Sequence, residues 1–163
     1  MATARTTPAA GRKKNQKAAT LLRAEQGLVD ELFKRFEMAS SPAAKREVVA
    51  QICTELGVHA QVEEDIFYPE VKAALRDQEL IHEAEVEHQS LKDLIAQLKN
   101  LQPDDDFYDL KVRVLGECLR HHVKEEHFEM FPKANRAKLD MVDLGARMAA
   151  HKTALLASGA FGA

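Results

Sequence analysis

The sequence predicts an all-α protein, an up-down-up-down four-helix bundle with a short C-terminal helix. Apolar residues recur at spacings of three and four through five successive segments, the period of one buried helical face. No stretch alternates polar and apolar residues as a half-buried strand would. The connections between segments are short, which makes sequential helices antiparallel neighbours.

The first helix is expected from about Lys17 to Ala39, with Leu21, Leu22, Leu28, Val29, Leu32, Phe33 and Phe36 on its apolar side. Ser40-Ser41-Pro42 ends it, and serine before proline is the N-cap and first-turn pair that opens the next helix. That second helix carries Val48, Val49, Ile52, Leu56, Val62, Ile66 and Phe67 past His59, with a bend or break expected near Pro69. A third pattern runs from about Glu79 to Leu101. Gln102-Pro103-Asp104-Asp105-Asp106 supplies the turn and cap for a fourth, from about Asp106 to Phe131. The fifth, from about Asp140 to Ala157, is apolar at Met141, Leu144, Met148 and Leu155 and is expected across the outside or end of the bundle.

With 163 residues, 45% of them hydrophobic, the chain has the material for one domain with a sizeable core. Its divisions are expected at 1–16 (a disordered basic tail), 17–135 (the bundle) and 136–163 (the C-terminal helix and tail). Arg5, Arg12, Lys13 and Lys14 stand in the tail among Ala, Thr, Pro and Gly, without acidic residues or apolar periodicity. The net charge of -3 argues against nucleic acid as the main partner. No apolar run reaches the length of a membrane span, and none serves as a secretory signal, so a cytoplasmic location is the expectation. Cys53 and Cys118 lack disulfide density or Cys-x-x-Cys spacing and read as small hydrophobes.

The chain repeats itself. His59-Ala-Gln-Val-Glu63-Glu64-Asp-Ile-Phe67-Tyr68-Pro69 is answered by His122-Val-Lys-Glu-Glu126-His127-Phe-Glu-Met130-Phe131-Pro132. Upstream, Glu87-His88-x-x-Leu91-x-x-Leu94-Ile95 matches Glu25-Gln26-x-x-Val29-x-x-Leu32-Phe33, so the repeat predicts histidine where the chain has Gln26. Residues four apart on a helix share a face, so His59 with Glu63, and His122 with Glu126, each project as a pair. One such pair on a charged helix is usually a solvated ion pair. Two in register, among core-forming Val62, Ile66, Val123 and Met130, are what facing helices present to a dinuclear metal site. In such sites carboxylates bridge two ions and imidazoles complete them. His88 completes one metal's imidazole set, and Gln26 stands by the repeat at the other.

The remaining histidines are weaker candidates. His121 aligns with Val58 and is expected at the helix flank, while His82 and His151 read as surface or packing residues. His127 lies about 140° from His122 on an ideal helix and turns toward the site only if the helix distorts. Glu64, Glu85, Glu87 and Glu125 are expected to be outer or solvated carboxylates.

Over roughly residues 17 to 135 these motifs resemble the hemerythrin family, in its bacterial HHE cation-binding branch. The resemblance rests on Leu21-Leu22, His59 with Glu63, Phe67-Tyr68-Pro69, Glu87-His88, His121-His122-Val123-Lys124-Glu125-Glu126 and Phe131-Pro132. It implies two non-haem iron ions, oxo- or hydroxo-bridged, with an open position for dioxygen. The implied ligands are His59, Glu63, His88, His122 and Glu126.

Two positions depart from the family pattern. Its first-helix histidine is Gln26, and the additional third-helix histidine of the invertebrate oxygen carriers is Ala84. An amide oxygen is a weaker iron ligand than imidazole, so Gln26 can bind directly, bind through water, or leave one metal loosely held. The expectation is therefore a centre that binds or senses dioxygen, peroxide or nitric oxide rather than a reversible carrier. The alternative is a degenerate bundle with one or no metal, acting as an interaction or regulatory module. No nucleophile elbow, phosphate loop or dinucleotide fingerprint is present, so any catalysis would be redox chemistry at the metal.

Overall fold

The computed structural model describes residues 16–162. Residues 1–15, which hold nearly all of the expected basic tail, lie outside the described residues. Helix α1 spans Ala18–Met38, α2 Pro42–Val62, α3 Tyr68–Ala74, α4 Glu79–Lys99, α5 Tyr108–Glu125, α6 Phe131–Arg136 and α7 Met141–Ser158. Among the described residues there is no strand. Two wide turns, Glu63–Phe67 and Glu126–Met130, join α2 to α3 and α5 to α6 without interrupting the helical path. The bundle is therefore α1, α2–α3, α4 and α5–α6, with α7 packed along α1 and α2.

The caps follow the sequence. Ser41 Oγ accepts from the Ala44 amide at 3.1 Å with Pro42 in the first turn, and Asp140 caps α7 through the Asp143 amide at 2.9 Å. Gly159, at φ 70°, closes α7 in the left-handed conformation that glycine adopts without strain. Gly145 lets α7 lie against the chain before α1, where a Cβ would overlap the Gln16 carbonyl oxygen.

The expected bend at Pro69 is replaced by a swelling one turn earlier, and the same happens before Pro132. Proline offers no N–H to the carbonyl four residues back and crowds it. Each helix accommodates this by widening: the Tyr68 amide bonds the Glu63 carbonyl and the Phe131 amide bonds that of Glu126, both five residues back.

Two apolar clusters fill the bundle. One, built from residues such as Leu22, Val62, Phe67, Phe131 and Met148, is closed by α7; the other includes Val29, Leu56, Leu91 and Leu115. Along α1, α2, α4 and α5 the change from one cluster to the other falls at or beside a polar residue. Gln26 lies between Leu22 and Val29, His59 between Leu56 and Val62, His88 between Ala84 and Leu91, and His122 between Leu119 and Met130. The core is thus cut by one polar layer. Cys53 is buried in the second cluster, where burial pushes its thiol up to about 11, and Cys118 packs half-buried against it. Leu28, expected on the inner face of α1, is half exposed.

Candidate metal centre

The polar layer consists of Gln26, His59, Glu63, His88, His122 and Glu126. These are the buried polar and charged side chains among the described residues, none more than 4% exposed. Glu63 lies at their middle. Its Oε1 is 3.3 Å from His59 Nε2, and its Oε2 is 3.1 Å from His88 Nε2 and 3.8 Å from His122 Nε2. Glu126 Oε1 is 3.2 Å from His122 Nε2. Two donor groups result, Glu63–His88–His122 and His59–Glu63–Glu126, each with its donor atoms within 4.8 Å of one another. They share the Glu63 carboxylate.

Each imidazole is held from behind. Glu25 is 2.9 Å from His59 Nδ1, Glu64 is 3.0 Å from His88 Nδ1, and Glu87 is 2.6 Å from His122 Nδ1. An Nδ1 that donates to a carboxylate fixes the ring and aims Nε2 inward, as outer carboxylates do for metal-bound histidines. Two of the three carboxylates also hold a lysine: Lys152 lies 3.1 Å from Glu25, and Lys92 lies 2.6 Å from Glu64. Glu64 and Glu87 thus behave as expected outer carboxylates. Glu25 was not anticipated, although it occupies the repeat position of Glu87.

Charge is balanced inside the layer by protons. Burial works against a charged His59, yet the Glu63 charge and the Glu25 hydrogen bond outweigh it and raise the imidazole to about 10. Burial likewise opposes a charged His122, but Glu126 and its hydrogen-bonded carboxylates hold it well above the ordinary value. Burial would raise Glu63; the His59 charge and hydrogen bonds from the surrounding imidazoles instead hold it well below the usual carboxylate range. Even so, His59 Nε2 and Glu63 Oε1 are buried without a hydrogen-bond partner. Orphaned polar atoms at this depth are costly, and a cation between them would satisfy both. Imidazole nitrogens and carboxylate oxygens are also the donor types that suit iron.

Gln26 lies in the layer in a different way from the histidines. Its amide nitrogen donates to Glu126 Oε2 at 2.6 Å, and His127 Nε2 donates to its oxygen at 2.6 Å. The repeat explains the arrangement. Glu64 supports His88, and at the matching positions His127 supports Gln26, so the two departures from the repeat are each other's partners. The widened turn at Glu126–Met130 brings His127 to this flank but not into the centre.

Tyr68 is the residue that helix periodicity missed. Its hydroxyl, on a side chain only 1% exposed, lies 2.8 Å from Glu126 Oε1, 3.1 Å from Glu63 Oε2, 3.0 Å from His88 Nε2 and 3.3 Å from His122 Nε2. On an ideal helix it would stand about 140° around from Glu63. The widened turn absorbs one residue and returns it to the inner face. Burial and the charges of Glu126 and Glu63 keep the phenol protonated.

The other candidates lie outside the layer. His121 is exposed beside Glu87 and Glu125, His151 pairs with Asp65 at 2.8 Å, and His82 is on the surface. Glu85 faces Lys72 at 3.8 Å. No helix among the described residues is long and apolar enough to cross a membrane.

A helical bundle with a buried layer of imidazoles and carboxylates defines a metal-binding protein class, and sequence comparison places the chain within it. The hemerythrin HHE cation-binding domain matches residues 17–134, and the chain belongs to that family. A crystal structure of a hemerythrin HHE cation-binding domain-containing protein from Mycobacterium kansasii superposes with a TM-score of 0.78, covering 88% of this chain and 90% of that one at 23% identity. That likeness confirms the fold. A DNA nickase from Nostoc sp. is 26% identical over 119 residues, which is 73% of this chain and 34% of the nickase. The chain therefore spans about a third of that relative's length.

Proposed function

We propose that the protein holds two iron ions in the polar layer and uses them to bind or sense dioxygen or a related small oxidant. The observation that carries this reading is the pair of donor groups sharing one carboxylate. Glu63, His88 and His122 would hold one ion, His59, Glu63 and Glu126 the other. When bound, such a pair supplies redox chemistry that no side chain of the layer has.

The chain's own residues prepare the site. Glu25, Glu64 and Glu87 fix the three imidazoles. The clusters above and below exclude water. His59 and His122 hold the protons that arriving cations displace. Gln26 spends its amide on Glu126 and His127, so an ion beside Glu126 would be held with one imidazole fewer than the repeat predicts. An open groove of about 280 Å³, lined by Arg23, Gln26, Leu119, Val123 and His127 among others, reaches this flank from solvent and gives a small oxidant its approach.

Absorption spectroscopy tests the proposal. Ferrous protein, reconstituted anaerobically and then exposed to air or peroxide, is expected to develop a ligand-to-metal charge-transfer band. A colourless sample with iron bound would count against oxidant chemistry.

A further inference from the structure

A second group of metal-type donors lies outside the polar layer. His121 Nε2 is 3.3 Å from Glu87 Oε1 and 3.3 Å from Glu125 Oε1, on the face shared by α4 and α5. The His121 side chain is 63% exposed. Donors on one ion, with metal–ligand distances of about 2.1 Å, stand roughly 3 Å apart, so the spacing suits a divalent cation reached directly from solvent.

Two independent features separate this group from a chance surface ion pair. Of the three carboxylates that steady the buried imidazoles, Glu25 and Glu64 each end on a lysine ammonium. Glu87 ends instead on an imidazole with a further carboxylate beside it, so the built-in cation of the other two arms is replaced by a ligand set. The repeat gives the second feature. The counterparts of His121 and Glu125 are Val58 and Val62, both buried in the cluster that α7 closes. The pairing of histidine with glutamate on this outer face thus belongs to the half of the bundle that α7 leaves open.

We propose that Glu87, His121 and Glu125 form a surface site for a divalent cation that loads the buried centre. Glu87 joins the two places: one oxygen faces His121 and the other holds His122 Nδ1 at 2.6 Å. A ferrous ion captured here sits behind a ligand of the centre, with no redox change needed to move inward. This inference rests on the buried layer being a metal centre.

The test uses the full chain and Mn2+ as an air-stable stand-in, with free Mn2+ followed by electron paramagnetic resonance. Wild type is expected to bind the tightly held buried ions and one weaker ion. His121→Ala and Glu125→Gln, both at solvent-accessible positions, are expected to weaken that last ion by about tenfold or more while keeping the tight ones. Stopped-flow uptake of Fe2+ should slow in both variants and reach the same final iron content. Unchanged manganese binding overturns the site, and unchanged uptake overturns its loading role. Loss of the tight ions from wild type, with the weaker ion still abolished by the variants, refutes the buried centre and the loading role with it.

Discussion

Replacing Tyr68 with phenylalanine removes one oxygen from the middle of the polar layer and leaves the ring, which packs 6.2 Å from Phe67 between centroids, in place. That hydroxyl donates to Glu126 Oε1 at 2.8 Å. Hydrogen bonds to charged groups contribute about 1.5–3 kcal/mol. The Glu126 oxygen keeps His122 Nε2 at 3.2 Å, so it is not orphaned and the lower part of that range applies. A loss of about 1.5–2 kcal/mol corresponds to a Tm decrease of roughly 3–8 °C for a chain of this size. Calorimetry of the chelator-treated variant measures it. With metal bound, the carboxylates have a cation to face and the layer is fixed by ligation, so the penalty from losing the hydrogen bond should shrink. A metal-free variant as stable as wild type would refute the placement of the hydroxyl among the donors.

Four further outcomes are expected. In the metal-free protein, His59 raised from 6.5 to about 10 contributes stability that is full below pH 6.5 and lost as pH rises toward 10. Glu63, lowered from 4.5, contributes stability present above pH 4.5 and lost as pH falls further, so Tm should be highest between these limits; a flat Tm from pH 6.5 to 10 would contradict this. Metal loading in weak buffer should release about two protons per chain from His59 and His122, which an indicator dye reports. Glu64→Gln should lower metal affinity by roughly 10–100-fold through looser orientation of His88, measured by chelator competition. Gln26→His should slow iron loss to a chelator by a factor on the order of ten, equivalent to about 1.4 kcal/mol of ligation. Adding His127→Glu should increase the gain, because it restores the carboxylate that supports the matching histidine in the other half; no gain from either variant would contradict the pairing of these positions.

The fold was legible because helix period, caps and short turns agreed, and because α1, α2, α4, α5 and α7 begin within a few residues of their punctuation. The six residues of the polar layer were legible for another reason: the repeat marked positions that periodicity alone would assign to the core. Tyr68 escaped because it depends on a widened turn, and ideal helix geometry points it elsewhere. The signal available was the Pro69 and Pro132 pair, which forces a distortion upstream in both halves. Glu25 escaped although Glu87 stood at its matching position. The support that His127 gives Gln26 needed three dimensions, since no spacing along the chain connects α1 to the turn after α5.

Iron per chain, by elemental analysis after anaerobic reconstitution and desalting, tests the dinuclear centre most directly. The shared Glu63 carboxylate and its two donor groups predict close to two. One iron or none would contradict the account and make the Gln26 side of the layer a place where no metal is held.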